Sequence, residues 1–314
     1  MNRDKWMKIL TIVCVLVLAA AAIMAVSGIF GGSIGGYANA EKYTAGDTVI
    51  TDEVKNIDVN WTSGKVTVAY HAENTVTVSE TAGRELKEDQ KLRWWMDGDT
   101  LRIQYAKNGF RINWDLEKEL TLTLPEGIRL ETAEISLTSG IVDIPEMAAE
   151  TLKVEVTSGE IKAKAEAKKA KFQATSGVIG VDMAGETEKL EIEATSGKIN
   201  AKAEKADEVR ISATSGAIEA SVKESKKTDV STTSGKIKVT LYKMDELNIS
   251  CTSGTVTALL PAEPGFTADV SQTSGDFSSS LAMTGDKNRH VCGDGSGSVK
   301  ISTTSGDVRI DAAE

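Results

Sequence analysis

The sequence is short of the residues from which catalytic centres and wide globular cores are commonly assembled. It holds two histidines, three cysteines and four prolines in 314 residues, and aromatics make up 5%. Three cysteines are too few for a disulfide framework, and one of them, Cys14, lies inside an apolar N-terminal run. Few aromatics leave little material for a thick core. Thr, Ser, Val, Ile, Ala and Gly recur instead, which suits thin layers of small and β-branched side chains. Clusters of positive charge are also scarce. The net charge is −10, and because residues 1–8 carry Arg3, Lys5 and Lys8 against Asp4, the remainder carries −12. Such a body argues against nucleic acid as a partner, since phosphate contact needs clustered Lys and Arg. The short run Lys168, Lys169 and Lys171 reads as a solvated edge.

What is present begins with a membrane signal. Residues Ile9 to Phe30 carry no charge over 22 positions, and a helix of that length reaches roughly 33 Å, enough to span a bilayer core. Positive residues lie before it and none follows up to Ala40, which places the N-terminus in the cytoplasm and the rest outside. The competing reading is a secreted form cleaved after Ala38-Asn39-Ala40. That site stands ten residues beyond the apolar run, and the run exceeds an ordinary signal-peptide core. The expected organisation is a cytoplasmic tail 1–8, a transmembrane helix 9–30 and a flexible linker 31–50, followed by the extracellular body.

That body is a repeat. Thr-Ser-Gly occurs ten times, with its glycine at positions 64, 140, 159, 177, 197, 216, 235, 254, 275 and 306. From Gly140 to Gly275 the spacing stays between 18 and 21 residues. Flanking residues alternate with period two, as half-buried strands do: Val154 and Val156 against Lys153, Glu155 and Thr157. By the same alternation the repeat serine falls on the inward side. After the glycine the apolar parity shifts, to Ile161, Ala163 and Ala165, so each Ser-Gly marks a corner where glycine supplies a backbone geometry closed to most residues. The third residue after each serine is Val66, Val142, Ile161, Ile179, Ile199, Ile218, Ile237, Val256, Phe277 or Val308, an inward column of like shapes.

The pattern predicts an all-β chain: a single-stack parallel β-solenoid of about nine to ten coils of about 19 residues, each coil holding two short strands and two corners. Residues 136–314 form the regular part. Residues 51–135 read as its first strands and N-terminal cap, with a hairpin turn at Asp97-Gly98-Asp99 and with Trp94, Trp95 and Trp114 covering the end. The segment Met283 to Ser298 reads as a loop or small excursion from the stack.

The recurrent Ile/Val-x-x-Thr-Ser-Gly-x-Ile/Val turns and the segment Leu120-Thr-Leu-Thr-Leu-Pro125-Glu-Gly carry a resemblance to a known family. Over about residues 50 to 314 the sequence resembles the putative-adhesin family of bacterial envelope β-solenoids, with a DUF4097-like domain of the Lia type. The resemblance implies a parallel β-solenoid at the envelope, with some relatives linked to sensing or tolerating membrane-active antimicrobials. It supplies no catalytic residues.

The residues themselves point to binding. His290 and Cys292 with Asp286 or Asp294 lack a second paired motif for a metal, and Gly293-Asp-Gly-Ser-Gly297 meets neither a phosphate-loop nor a nucleophile-elbow spacing. No catalytic, cofactor or metal residues are assigned. Two outward columns are more informative. One holds Thr157, Thr175, Thr195, Thr214, Thr233, Thr252 and Thr273; from Ser212 onward it is joined by Ser212, Ser231, Ser250, Ser271 and Ser302. The candidate binding face is Thr195, Ser212, Thr214, Ser231, Thr233, Ser250, Thr252, Ser271 and Thr273. The expected function is a membrane-anchored, non-catalytic module for binding, scaffolding or envelope-stress signalling, whose partner is a surface ligand or envelope protein not named by the sequence. Alternatives are glycan or ice binding by the hydroxyl face, and an enzyme. Cys251 shares the inward parity of Ile249 and is expected to be a buried thiol, with Cys292 accessible.

Overall fold

The computed structural model describes residues 37–107, 116–286 and 288–313. The expected cytoplasmic tail and transmembrane helix, the start of the linker and Trp114 lie outside them. No helix among the described residues is long and apolar enough to cross a membrane.

The described chain is a long, open, β-rich stack. Strands pair in parallel at the repeat distance: Leu130–Ile144 runs beside the next turn with Ile135 opposite Val154, Ser139 opposite Ser158 and Gly140 opposite Gly159. From Ala148 to Leu260 the chain stays extended through successive turns. Inward positions repeat coil after coil. Ile161, Ile179, Ile199, Ile218 and Ile237 are all buried, as are Val66, Val142, Val256 and Val308. Phe277, on the outermost coil, is only half-buried because its strand is paired on one side alone.

The corner glycines explain the motif. The ten Thr-Ser-Gly glycines have φ between +99° and +149°, a region closed to most side chains. A second constraint is added by stacking. A Cβ built on Gly197 would lie 1.8 Å from the carbonyl oxygen of Gly177, and one on Gly216 1.8 Å from that of Gly197. The glycines thus form a continuous column in which backbone touches backbone, and any side chain would push two coils apart. The preceding serine does not follow strand alternation: Ser158, Ser176, Ser196, Ser215, Ser234 and Ser253 are exposed, not inward, because the turn rotates the chain at that position.

Both ends depart from sequence order, and by the same device. Ser298–Ser305 and Val308–Ala312 lie directly against the turn at Glu246–Leu260, while the earlier segments Gly265–Ser274 and Phe277–Ser279 pack outside them. The glycine column accordingly runs Gly254, Gly306, Gly275. At the other end Asn56–His71 is sandwiched between Leu130–Ile144 and an outer layer made of Thr100–Gln104 and Glu119–Pro125. In each case the first or last coil in sequence is covered by a segment from further inside the chain. Free coil ends fray and unpaired edges recruit foreign strands, so covering both protects the stack.

The outer layers end in antiparallel pairs. Met283–Gly285 and Arg289–Gly293 form a hairpin laid on Gly265–Asp269, so the expected excursion is part of the cap. Val76–Thr81 pairs with Glu119–Pro125, and Arg93–Asp97 turns at Gly98 into Thr100–Gln104. Trp94 packs against the core, and Trp95 meets Tyr43 edge-on at 5.6 Å. Part of the expected linker is structured: Thr44–Ala45 pairs with Arg93–Trp94, and Thr48–Ile50 with Val76–Val78.

Candidate functional site

Each strand of the stack presents its outward side chains to the coil above and below, so a residue type repeated at the coil spacing becomes a row about 4.8 Å apart. Along much of the stack the outward rows are charged. Lys171 reaches Glu191 at 3.3 Å and Lys238 reaches Glu219 at 3.3 Å, one coil away in each case. Glu186, Lys205, Glu224 and Lys243 continue one row with alternating sign, the Lys205 to Glu186 contact being 2.6 Å and the Lys243 to Glu224 contact 3.2 Å. Lys168 pairs with Glu150, so two members of the basic run are engaged in surface ion pairs. Exposed pairs of this kind contribute at most about 1 kcal/mol each.

Further along, one row turns from charge to hydroxyl. Ser302 stands opposite Ser250, and Ser271 opposite Ser302, so the spatial order is Ser231, Ser250, Ser302, Ser271 rather than the order in sequence. These four serines share a shallow groove of about 490 Å³ with a parallel row formed by Asp229, Asn248, Lys300 and Asp269. Asn248 donates to Asp229 at 2.8 Å, which fixes one end of the second row. The serine hydroxyls, Lys300 and Asp269 have no hydrogen-bond or ion-pair partner among the described residues; Ser250, Ser302, Ser271, Lys300 and Asp269 are exposed and Ser231 is half-buried. The structure therefore brings Ser231, Ser250 and Ser271 together with Ser302. Ser212 begins the row outside the groove. Thr195, Thr214, Thr233 and Thr252 are half-buried and Thr273 is exposed, all beside the corners and outside the groove lining.

No group of three or more His, Cys, Asp or Glu among the described residues is placed to hold a metal ion. His290 stacks on Phe277 at 4.5 Å. Cys251 and Cys292 are both buried free thiols, and burial pushes both thiols up. For Cys292 this corrects the expectation of an accessible thiol: it faces the core from the end hairpin, opposite Phe266.

The least expected feature is at the N-terminal cap. Lys118 is 0% exposed, and its Nζ donates to the backbone carbonyls of Gln90 at 2.7 Å and Tyr105 at 2.6 Å. Its third partner is Glu80 Oε2 at 2.6 Å, and the rings of Trp61 and Tyr105 flank it at 4.9 and 4.3 Å. The Leu92 N–H donates to Glu80 Oε1 at 2.6 Å. Burial pushes the Glu80 carboxyl up and the Lys118 amine down, each opposed by the partner's charge. The Lys118 carbonyl also begins the glycine column, lying where a Cβ on Gly64 would fall. A signal for this pair exists in the sequence. Lys118 shares the parity of Leu116, Leu120 and Leu122, and Glu80 that of Val76 and Val78, so two opposite charges stand on inward positions.

The model of the family described as Toastrack DUF4097 matches residues 54–311. A solved structure described as a putative adhesin from Parabacteroides merdae is similar at 14% identity and a TM-score of 0.45, covering 88% of this chain and 97% of that one. A putative adhesin from Bacteroides fragilis is similar at 11% identity and a TM-score of 0.41, covering 86% and 97%. A search of curated proteins finds no match.

Proposed function

Because the chain belongs to the Toastrack DUF4097 family, we propose that it is a membrane-tethered module of the bacterial envelope that binds without catalysis, holding an extended ligand along its serine row. The observation that carries this reading is the groove of Ser231, Ser250, Ser302 and Ser271 beside Asp229, Asn248, Lys300 and Asp269. It is shallow and open, and sets a line of hydroxyl, amide and charged side chains beside the apolar Val230, Ile249 and Ile301 rather than the enclosed, convergent set that a reaction needs. The uncharged Ile9 to Phe30 run supplies the tether, with the stack outside the cell.

The array also favours one ligand class. Alternating hydroxyl, amide and charged groups can exchange hydrogen bonds with a polyhydroxylated chain lying parallel to the stack, which supports a surface glycan as the ligand. Ice is disfavoured by the charges of Asp229, Lys300 and Asp269 within the groove. Both the docking face and the envelope location are tested by placing a photo-crosslinking residue at Ser250, and as a control at exposed Lys238, in the full chain on intact cells. Adducts at position 250 and none at 238 are expected. Equal labelling at the two positions would remove the serine row as the docking face, and protection of the body from protease added to protoplasts would contradict its placement outside.

A further inference from the structure

The buried pair at the N-terminal cap is arranged as the reactants of an amide bond. We propose that Lys118 and Glu80 condense to an intramolecular isopeptide that joins the outer layer of the cap to the strand beside it. The partners of the amine and of each carboxyl oxygen leave the two groups free to meet. Two of the three Lys118 N–H groups are held by the carbonyls of Gln90 and Tyr105, which leaves one proton for Glu80 Oε2, an ion-pair partner 2.6 Å from Nζ that accepts no other hydrogen bond. Passing that proton to Oε2 leaves the nitrogen lone pair directed at the carboxyl group. Oε1 is already bonded to the Leu92 N–H, which stabilises the charge that develops on this oxygen as nitrogen adds to the carboxyl carbon. A second proton then moves from nitrogen to Oε2, the C–Oε2 bond breaks and one water leaves. The remaining amide N–H keeps one of the two carbonyl acceptors. Ammonium and carboxylate are thereby converted to one amide and one water, with no oxidant, reductant or other reactant.

The surroundings favour this direction. In water the acid and amine are both ionised and unreactive, whereas burial of both groups destabilises the two charges and moves each toward its neutral form. The rings of Trp61 and Tyr105 cover the amine, so water needed for hydrolysis is kept from the product. Both side chains are held by the cap, which replaces a bimolecular encounter by fixed proximity.

The test is peptide mapping of the natively folded full chain. Trypsin cannot cut after an acylated lysine, so peptide 66–84, which contains Glu80, should be found joined to peptide 112–129, lighter than their sum by one water. Lys118→Arg should yield peptide 66–84 as a separate species. Cleavage after Lys118 in the wild-type chain, with peptide 66–84 at its full mass, would show that the pair is only an ion pair and would overturn the proposal. Persistence of the lighter species in Lys118→Arg would overturn it equally.

Discussion

The middle of the stack and its two ends solve the same problem by different means. Between Ala148 and Leu260 every coil meets a near copy of itself above and below, so one solution repeats: Val or Ile inward, glycine at the corner, charge pairs outward. At the ends no copy is available on one side. The N-terminal end answers with the Glu80 to Lys118 pair, two aromatic rings and antiparallel strands, and the C-terminal end with a hairpin. Repetition makes the middle tolerant of varied outward residues but intolerant of any change on the shared columns. The ends carry singular contacts, each of which has no substitute nearby.

This contrast sets the order of expected mutational effects. The largest belongs to the glycine column. Gly197→Val places side-chain atoms on the backbone of the Gly177 coil and should cost at least as much as Ile199→Asp, which buries a carboxylate in the Ile column; both are expected to exceed about 4 kcal/mol. Because neighbours stabilise each coil, urea melts should show loss across the middle rather than a local defect. If Gly197→Val proved mild, the tight backbone contact would be wrong. Next comes Lys118→Ala, which leaves Glu80 buried without its partner and should cost about 3 to 5 kcal/mol. Its damage should be confined to the N-terminal cap in hydrogen exchange, and equal loss of protection around Ile218 would erase the distinction between end and middle.

A smaller contrast lies in opening rates. Both thiols are buried and burial pushes both up, so neither should react with a thiol reagent in the native state. Cys292 sits in the end hairpin and Cys251 beneath two covering coils, so partial opening should label Cys292 first as urea is raised. Labelling in the reverse order would place the weaker region in the middle. The smallest effect is expected at Thr195→Ala, about 0.5 to 1 kcal/mol through lost strand propensity, because Thr195 lies on the outward side. A cost near that of Ile199→Asp would mean that the faces are misassigned.

The same contrast explains what could be read from the residues alone. The Ile199 column, the coil length and the Asp97 to Asp99 turn follow from period-two patterning and glycine placement, which are local. The direction of the repeat serine does not, since the corner rotates the chain within one residue and alternation stops holding there. The position of Ser302 between Ser250 and Ser271 is set by how the end hairpin returns the chain, a tertiary choice that no local pattern encodes. Lys118 and Glu80 stood on inward parity, but only the fold shows that they meet. For the docking face, the serine row was legible as a column, while its second row of Asp229, Asn248, Lys300 and Asp269 needed the spatial order.

That order is the most direct test, because both the covered end and the composition of the groove depend on it. With the three native cysteines replaced by alanine, cysteine pairs are placed at 250 and 302, at 302 and 271, and at 250 and 271. Adjacent strands lie about 4.8 Å apart, within disulfide reach, whereas two coils separate positions 250 and 271 by about 9.6 Å, beyond it. Oxidation of the folded protein should therefore crosslink the first two pairs and leave the third reduced. Efficient closure of the pair at 250 and 271, with none between 250 and 302, would mean that the coils stack in sequence order and would contradict the account.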